Sequence, residues 1–268
     1  MAHQARKRFG QHFLTDVGYI NAIVRAIRPN INDRVIEIGP GLGAMTKPLL
    51  SELVTMEVVE IDRDLVAHWQ KQNLSGLTIH EADALKFDFC AWSKAAKAEL
   101  QKKHVDGRVK IVGNLPYNIS SPLLFHLISA IDFVDEQVFM LQLEVVERMV
   151  AKPGDSDYSR LSVMLQAKYH MENVIDVPPE AFEPPPKVDS AVVEMIPRKD
   201  LTIDAVTWAS LEKIVASAFA KRRKMLSNNL QEFREILELD AQTLKARAQD
   251  ISVETYLDWA RKLVQAKS

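Results

Sequence analysis

Short apolar runs rich in β-branched residues recur through the first two-thirds of the chain, separated by stretches whose apolar residues are spaced for one helical face. RVIEI (Arg34 to Ile38), TMEVVE (Thr55 to Glu60), LTIH (Leu77 to His80), VKIVG (Val109 to Gly113) and QVFMLQ (Gln137 to Gln142) predict five strands. Strands alternating with helices need crossover connections, so the pattern predicts an α/β fold with a largely parallel sheet covered on both faces. After the fifth run the rhythm changes. The apolar runs Leu161 to Tyr169 and Ser190 to Ile196, separated by the proline-rich AFEPPPKVDS, predict an antiparallel pair closing one sheet edge. Beyond Arg198 the spacing of Trp208, Leu211, Ile214, Val215 and Ala218 buries one face of a helix. Two domains are therefore expected, 1–200 and a helical 201–268, and the chain shows no internal repeat.

The 268 residues suffice for one large core and a smaller second one, and a hydrophobic fraction of 47% with 26% charged residues is that of an ordinary globular protein. Cys90 is the single cysteine, which excludes an internal disulfide or a cysteine-built zinc site and predicts a reducing, cytoplasmic setting. No apolar run approaches the ~20 residues of a membrane span, and the N-terminal residues lack the apolar stretch of a signal peptide. The net charge of -2 carries no general affinity for nucleic acid. Its distribution does point there, because Arg6, Lys7 and Arg8 form one basic cluster and Lys221, Arg222, Arg223 and Lys224 another, both suited to phosphates.

The run VIEIGPGLGA sets Gly39, Gly41 and Gly43 between the first strand and a helix, where small residues let the backbone approach a bound nucleoside. The spacing also satisfies the dinucleotide fingerprint, so on glycines alone two cofactor classes stay open. Glu60, closing the second strand, is placed to accept from both ribose hydroxyls of either cofactor. Asp83, after the third strand, is placed to take an adenine amino group, for which a nicotinamide enzyme has less use.

The fourth strand runs into Asn114-Leu115-Pro116-Tyr117, a tetrapeptide that resembles the motif of methyltransferases acting on adenine amino groups. The lone pair of that nitrogen is delocalised into the ring, so the nitrogen attacks a sulfonium methyl poorly unless it is held and polarised. With the Asn114 side-chain oxygen and the Leu115 carbonyl accepting the two amino hydrogens, the lone pair is aimed at the methyl carbon and the developing positive charge meets preset acceptors. Pro116 fixes the turn, and the Tyr117 ring offers a stacking face.

KRFGQHFL, IEIGPGLGAMT, NLPYNIS and FEPPPKVDSAVV extend the resemblance along almost the whole chain: it is similar to the KsgA/RsmA ribosomal RNA adenine dimethyltransferases. The resemblance implies a Rossmann-like class I methyltransferase fold with a seven-stranded sheet and a small helical C-terminal domain. It implies S-adenosyl-L-methionine as cofactor and N6,N6-dimethylation of two adjacent adenosines in a hairpin loop near the 3′ end of 16S rRNA. The implied partner is that rRNA within an immature small ribosomal subunit, met by a monomer without metal or membrane.

By motif position, Gln11, His12 and Leu14 would cover the cofactor, and Gly39, Gly41, Glu60, Asp83 and Asn114 would line its pocket, with Ile61 and Ala84 flanking the cofactor adenine. Phe182 would close over the target base opposite Tyr117, holding it flipped between two rings. Lys187 and the two basic clusters would meet RNA. The long Trp92 to Arg108 linker and the acidic total charge depart from the family pattern. Three other functions fit part of the sequence: a large-subunit methyltransferase of the macrolide-resistance type, a non-catalytic RNA-binding assembly factor, and a nicotinamide dehydrogenase. FEPPPKVDSAVV argues against the first and the intact NLPY against the other two.

Overall fold

The computed structural model describes residues 12–266. The chain forms two compact units. The first runs to Val146 and resumes over Glu172–Pro197; the second takes Glu147–Met171 and continues from Arg198. The segment 147–171, expected in the first domain, thus belongs with the C-terminal helices.

In chain order the elements are β1 (Phe13–Leu14), α1 (Val17–Ile27), β2 (Arg34–Ile38), α2 (Thr46–Glu52), β3 (Met56–Glu60), α3 (Arg63–Gln72), β4 (Leu77–Glu81), α4 (Phe89–Lys103), β5 (Val109–Asn114), α5 (Ser120–Leu127), β6 (Glu136–Gln142), α6 (Leu143–Val150) and α7 (Arg160–Gln166). They continue with β7 (Tyr169–Val177), β8 (Phe182–Glu183), β9 (Ser190–Pro197), α8 (Ala205–Ala218), α9 (Leu226–Asn229), α10 (Ala241–Lys245) and α11 (Val253–Gln265). Seven strands form one sheet in the order β4-β3-β2-β5-β6-β9-β7. β4 through β6 are parallel, and β9 runs antiparallel to β6.

All five expected strands form, and their near-continuous apolar runs reflect burial on both faces. Strand order reverses at β2, between β3 and β5, which opens a crevice beyond the C-terminal ends of these strands. Val35, Met56, Val58, Val112, Val138 and Met140 project from the sheet into a core cluster shared with Ile23 and Ile27 of α1 and Leu49 of α2.

Two expectations need correction. Leu161 to Tyr169 is not a strand: Arg160–Gln166 is helical, and the edge strand starts only at Tyr169. A capping box between Ser159 and Ser162 starts that helix, and because Ser162, Val163, Met164 and Leu165 are all buried, the run carries no periodicity to separate helix from strand. The supposed linker Trp92 to Arg108 is mostly α4, the crossover from β4 to β5, capped by the Asp88 side chain accepting from the Ala91 amide at 2.8 Å.

In the second unit α8 packs on α7 and α11. Leu211, Ile214, Val215 and Ala218 are buried as the spacing predicts, while the half-buried Trp208 ring lies 4.9 Å from the Lys168 ammonium. Among the described residues no helix is long and apolar enough to cross a membrane, and no group of three or more His, Cys, Asp or Glu could hold a metal ion.

Candidate active site

Beyond the ends of β2, β3, β4 and β5 lies a cavity of about 320 Å³, in the first unit. His12, Leu14, Gly39, Gly41, Glu60, Ile61, Asp83, Ala84, Asn114, Leu115, Pro116 and Tyr117 all line it, so most of the sequence-predicted residues converge on one space. Gly43 shows why the glycine turn cannot carry side chains: with φ of +93°, a Cβ there would sit 2.4 Å from the Trp69 ring. That indole in turn donates to the Gly41 carbonyl at 3.0 Å and braces the loop.

Glu60, only 5% exposed, accepts the Asp62 amide at 2.8 Å. Burial raises its pKa, opposed by hydrogen bonds from the Asp62, Ile61 and Gly41 amides. Asp83 accepts the Leu85 amide at 3.0 Å, which holds its carboxylate at the cavity wall.

The sequence reading missed an ionisable wall residue. Glu37 of β2 lines the cavity, is 1% exposed and accepts from the Thr46 hydroxyl at 2.6 Å. Burial pushes its pKa up to about 7, against the Thr46 hydrogen bond and with help from the Glu60 charge. Its sequence signal was an acid inside an otherwise apolar buried strand, which needs a reason to be there.

Asn114, at the end of β5, donates its side-chain amide to the His12 carbonyl at 3.4 Å. Since a carbonyl can only accept, this contact decides the amide's orientation and leaves Oδ1 as the free acceptor. Leu115 is buried, its amide donating to the Met140 carbonyl of β6 at 3.0 Å. The Tyr117 hydroxyl is 2.8 Å from the Ser190 hydroxyl at the buried start of β9, and burial raises the phenol's pKa.

Phe182 departs from expectation. It is 4% exposed, belongs to the core cluster and is absent from the cavity lining, so its ring packs the core instead of facing Tyr117. Its segment works through the backbone: β8 pairs antiparallel with β1, Leu14 opposite Phe182 and Phe13 opposite Glu183. The pairing carries His12 to the cavity, where its Nδ1 lies 2.8 Å from the Pro184 carbonyl.

Gln11, Arg6, Lys7 and Arg8 lie outside the described residues. Lys187 is exposed beside the site segment, and Lys221 to Lys224 form an exposed turn after α8 in the second unit, with the Arg222 guanidinium donating to the Ser156 carbonyl.

The model of the ribosomal RNA adenine dimethylase family matches residues 2–265. The chain belongs to that family. It is 53% identical over 267 residues to ribosomal RNA small subunit methyltransferase A of Bordetella petrii, covering 98% of this chain and 97% of the relative. To the Burkholderia mallei protein of the same name it is 50% identical over 272 residues, covering 99% and 96%. Among solved structures, a dimethyladenosine transferase from Plasmodium falciparum shares the fold with a TM-score of 0.78 at 24% identity, covering 96% and 98% of the two chains. The 23S rRNA methyltransferase ErmE shares it with a TM-score of 0.68 at 22% identity, covering 94% and 100%.

This member of the family is an S-adenosylmethionine-dependent enzyme that methylates adenine in ribosomal RNA. The cavity fits that donor on its own evidence. The donor is a cation at sulfur and at its amino group, and Glu37 and Glu60 are buried carboxylates whose ionised forms a cation would stabilise.

Proposed function

We propose that the chain dimethylates the N6 atoms of two adjacent adenosines in a hairpin loop near the 3′ end of 16S rRNA, acting as a monomer on an immature small subunit in the cytoplasm. The observation that carries this reading is Asn114, whose side-chain amide donates to the His12 carbonyl and which lines the same cavity as Leu115 and Tyr117. S-adenosylmethionine supplies an electrophilic methyl group. The protein holds the acceptor nitrogen: Asn114 Oδ1 and the Leu115 carbonyl take the amino hydrogens, drawing the lone pair out of conjugation. The donor would supply the methyl carbon for the new N–C bond and keep its sulfur as the neutral leaving group, and the surplus proton on nitrogen would pass to water. For the second transfer one hydrogen remains for these acceptors. Among the residues that line the cavity, Glu60 would hold the donor's ribose hydroxyls and Asp83 its adenine amino group, with Ile61 and Ala84 flanking that ring.

The name of the relatives supports the small subunit as substrate. The exposed Lys221 to Lys224 turn and Lys187 supply phosphate contacts, joined by Arg6 to Arg8. Replacing the four residues of the turn by alanine is expected to flatten the log–log salt dependence of subunit binding by roughly 0.7–0.9 per lost contact, with donor affinity unchanged. The deciding experiment is transfer of labelled methyl to small-subunit particles from a strain lacking this modification, with both ribosomal RNAs mapped by primer extension. Two adjacent stops near the 3′ end of 16S rRNA are expected. Stops in the large-subunit RNA, or no transfer, would replace this reading.

A further inference from the structure

The turn after β4 is held differently at its two ends. At its start the Asp83 carbonyl accepts from the Lys86 and Phe87 amides at 2.9 and 3.0 Å, and the Asp83 carboxylate accepts from the Leu85 amide at 3.0 Å, so this end closes on itself. The far end is tied to another element. The Phe87 carbonyl accepts from the Phe89 amide at 3.0 Å and lies 2.8 Å from Nε2 of His126 on α5. A carbonyl only accepts, so Nε2 carries the hydrogen in this contact. We propose that His126 is a positioning residue of the donor site: by holding the Phe87 carbonyl it sets the turn that presents Asp83, and with it the preference of the pocket for adenine over a base without an amino group. This rests on the reading of Asp83 as the acceptor of the donor's adenine amino group.

The mounting of the imidazole supports it. His126 is not among the residues that line the cavity, whereas Asp83, Ala84 and Leu85 are, so its influence must pass through the turn. Its helix is firmly seated. Leu123, Leu124 and Leu127 of α5 are fully buried, the Leu123 amide donates to the Ile119 carbonyl at 3.0 Å, and the Ser120 hydroxyl donates to the Tyr117 carbonyl at 3.2 Å. The Phe87 ring lies between two others, with centroids 4.9 Å from Phe89 and 5.1 Å from His80 of β4. Apolar packing is non-directional and locates that ring, but a hydrogen bond has a direction and aims the peptide.

α5 also spans the two halves of the site. It follows the NLPY turn through Asn118 and Ile119, which line the cavity, and its eight residues carry the chain about 12 Å to the His126 end. The acceptor motif and the turn bearing Asp83 are thereby referenced to one rigid element, which suits a transfer that depends on the relative placement of donor and acceptor.

The test measures the calorimetric affinity of the full-length protein for S-adenosylhomocysteine and for its deaminated analogue S-inosylhomocysteine, which carries a carbonyl in place of the amino group. The parent should prefer the adenine compound roughly 10- to 150-fold, the weight of a hydrogen bond to a charged acceptor. His126→Leu, which keeps the bulk and removes the N–H, is expected to reduce that preference roughly 2- to 10-fold. His126→Gln, which keeps an N–H, should restore it. In an Asp83→Ala background His126→Leu should change neither affinity, because the two residues act through one interaction. The inference is overturned if His126→Leu retains the parent's preference, whether its two affinities fall together or stay unchanged, if His126→Gln behaves like His126→Leu, or if the effect persists without Asp83. A parent that binds both compounds equally would overturn the reading of Asp83 itself, whereas a discriminating parent with an indifferent His126 removes this inference alone.

Discussion

The two ends of the parallel strands carry buried carboxylates in opposite states. At the N-terminal end, Asp33 before β2 and Glu136 at the start of β6 both meet the Lys110 ammonium of β5, at 3.2 and 3.3 Å, and all three side chains are 1% exposed. Lys110 also donates to the carbonyls of Ile27 and Arg28, at 2.6 and 3.0 Å, and Arg28 adds an ion pair to Glu136 at 3.0 Å. At the C-terminal end, among the described residues, neither Glu37 nor Glu60 pairs with a lysine or arginine, and burial raises the pKa of each. One sheet thus holds compensated charge where it needs only structure and uncompensated charge where a cationic ligand enters. Buried acids left without cations are a mark of a site, and those with cations are a mark of a clamp.

The comparison breaks most visibly at Lys110. Lys110→Met leaves Asp33 and Glu136 buried without their central cation, and is expected to cost about 3–5 kcal/mol in urea unfolding, while the folded fraction binds S-adenosylmethionine as before. A loss below about 1 kcal/mol would show that water or Arg28 already compensates the acids. At the other end Asn114→Ala should leave unfolding nearly unchanged but lower kcat by about 100- to 1,000-fold, the scale of removing one preset partner of transition-state charge. Matching losses in subunit affinity and rate would contradict that division.

Smaller effects sharpen the contrast at the cavity acids. Glu60→Gln should weaken donor binding by about 1–3 kcal/mol, through loss of a charged acceptor, without lowering thermal stability. Calorimetry paired with melting checks both, and a destabilised variant would place Glu60 with the clamp acids instead. Glu37 predicts a pH effect. Its folded pKa of about 7 lies above the ordinary glutamate value of about 4.3, so its contribution to stability is full below the unfolded value and is lost as pH rises through about 7. A bound cation favours the ionised form, so donor affinity should rise up to about tenfold between pH 6 and 8 and proton release should accompany binding. Glu37→Gln should flatten that slope; an unaltered slope would assign it to another group.

The strands on which these groups sit were legible because a parallel strand buried on both faces must be a short, nearly unbroken apolar run. The Leu161 to Tyr169 run was misread for the converse reason: a helix turn buried all round also has no polar face, and only the Ser159 capping box marks it as helical. In the site, Gly39, Glu60, Asp83 and Asn114 follow strand ends, and a parallel sheet gathers consecutive strand ends on one edge. Their convergence could therefore be argued from order alone.

What the sequence determined by itself was the alternation of elements, the glycine turn, the acids at successive strand ends and the NLPY motif, since each depends on local spacing or on the direction of a single strand. Tertiary structure alone decided the contacts between segments far apart in the chain. These are the pairing of Leu14 with Phe182, the His12 carbonyl on the Asn114 amide, the Ser190 hydroxyl on Tyr117 and the choice of His12 over Phe182 as the ring facing Tyr117. It also decided which buried acids found a cation. The reason is physical: side-chain pairing across long sequence separations follows from strand order and register, and a one-residue change of register would send each of these groups to the opposite face.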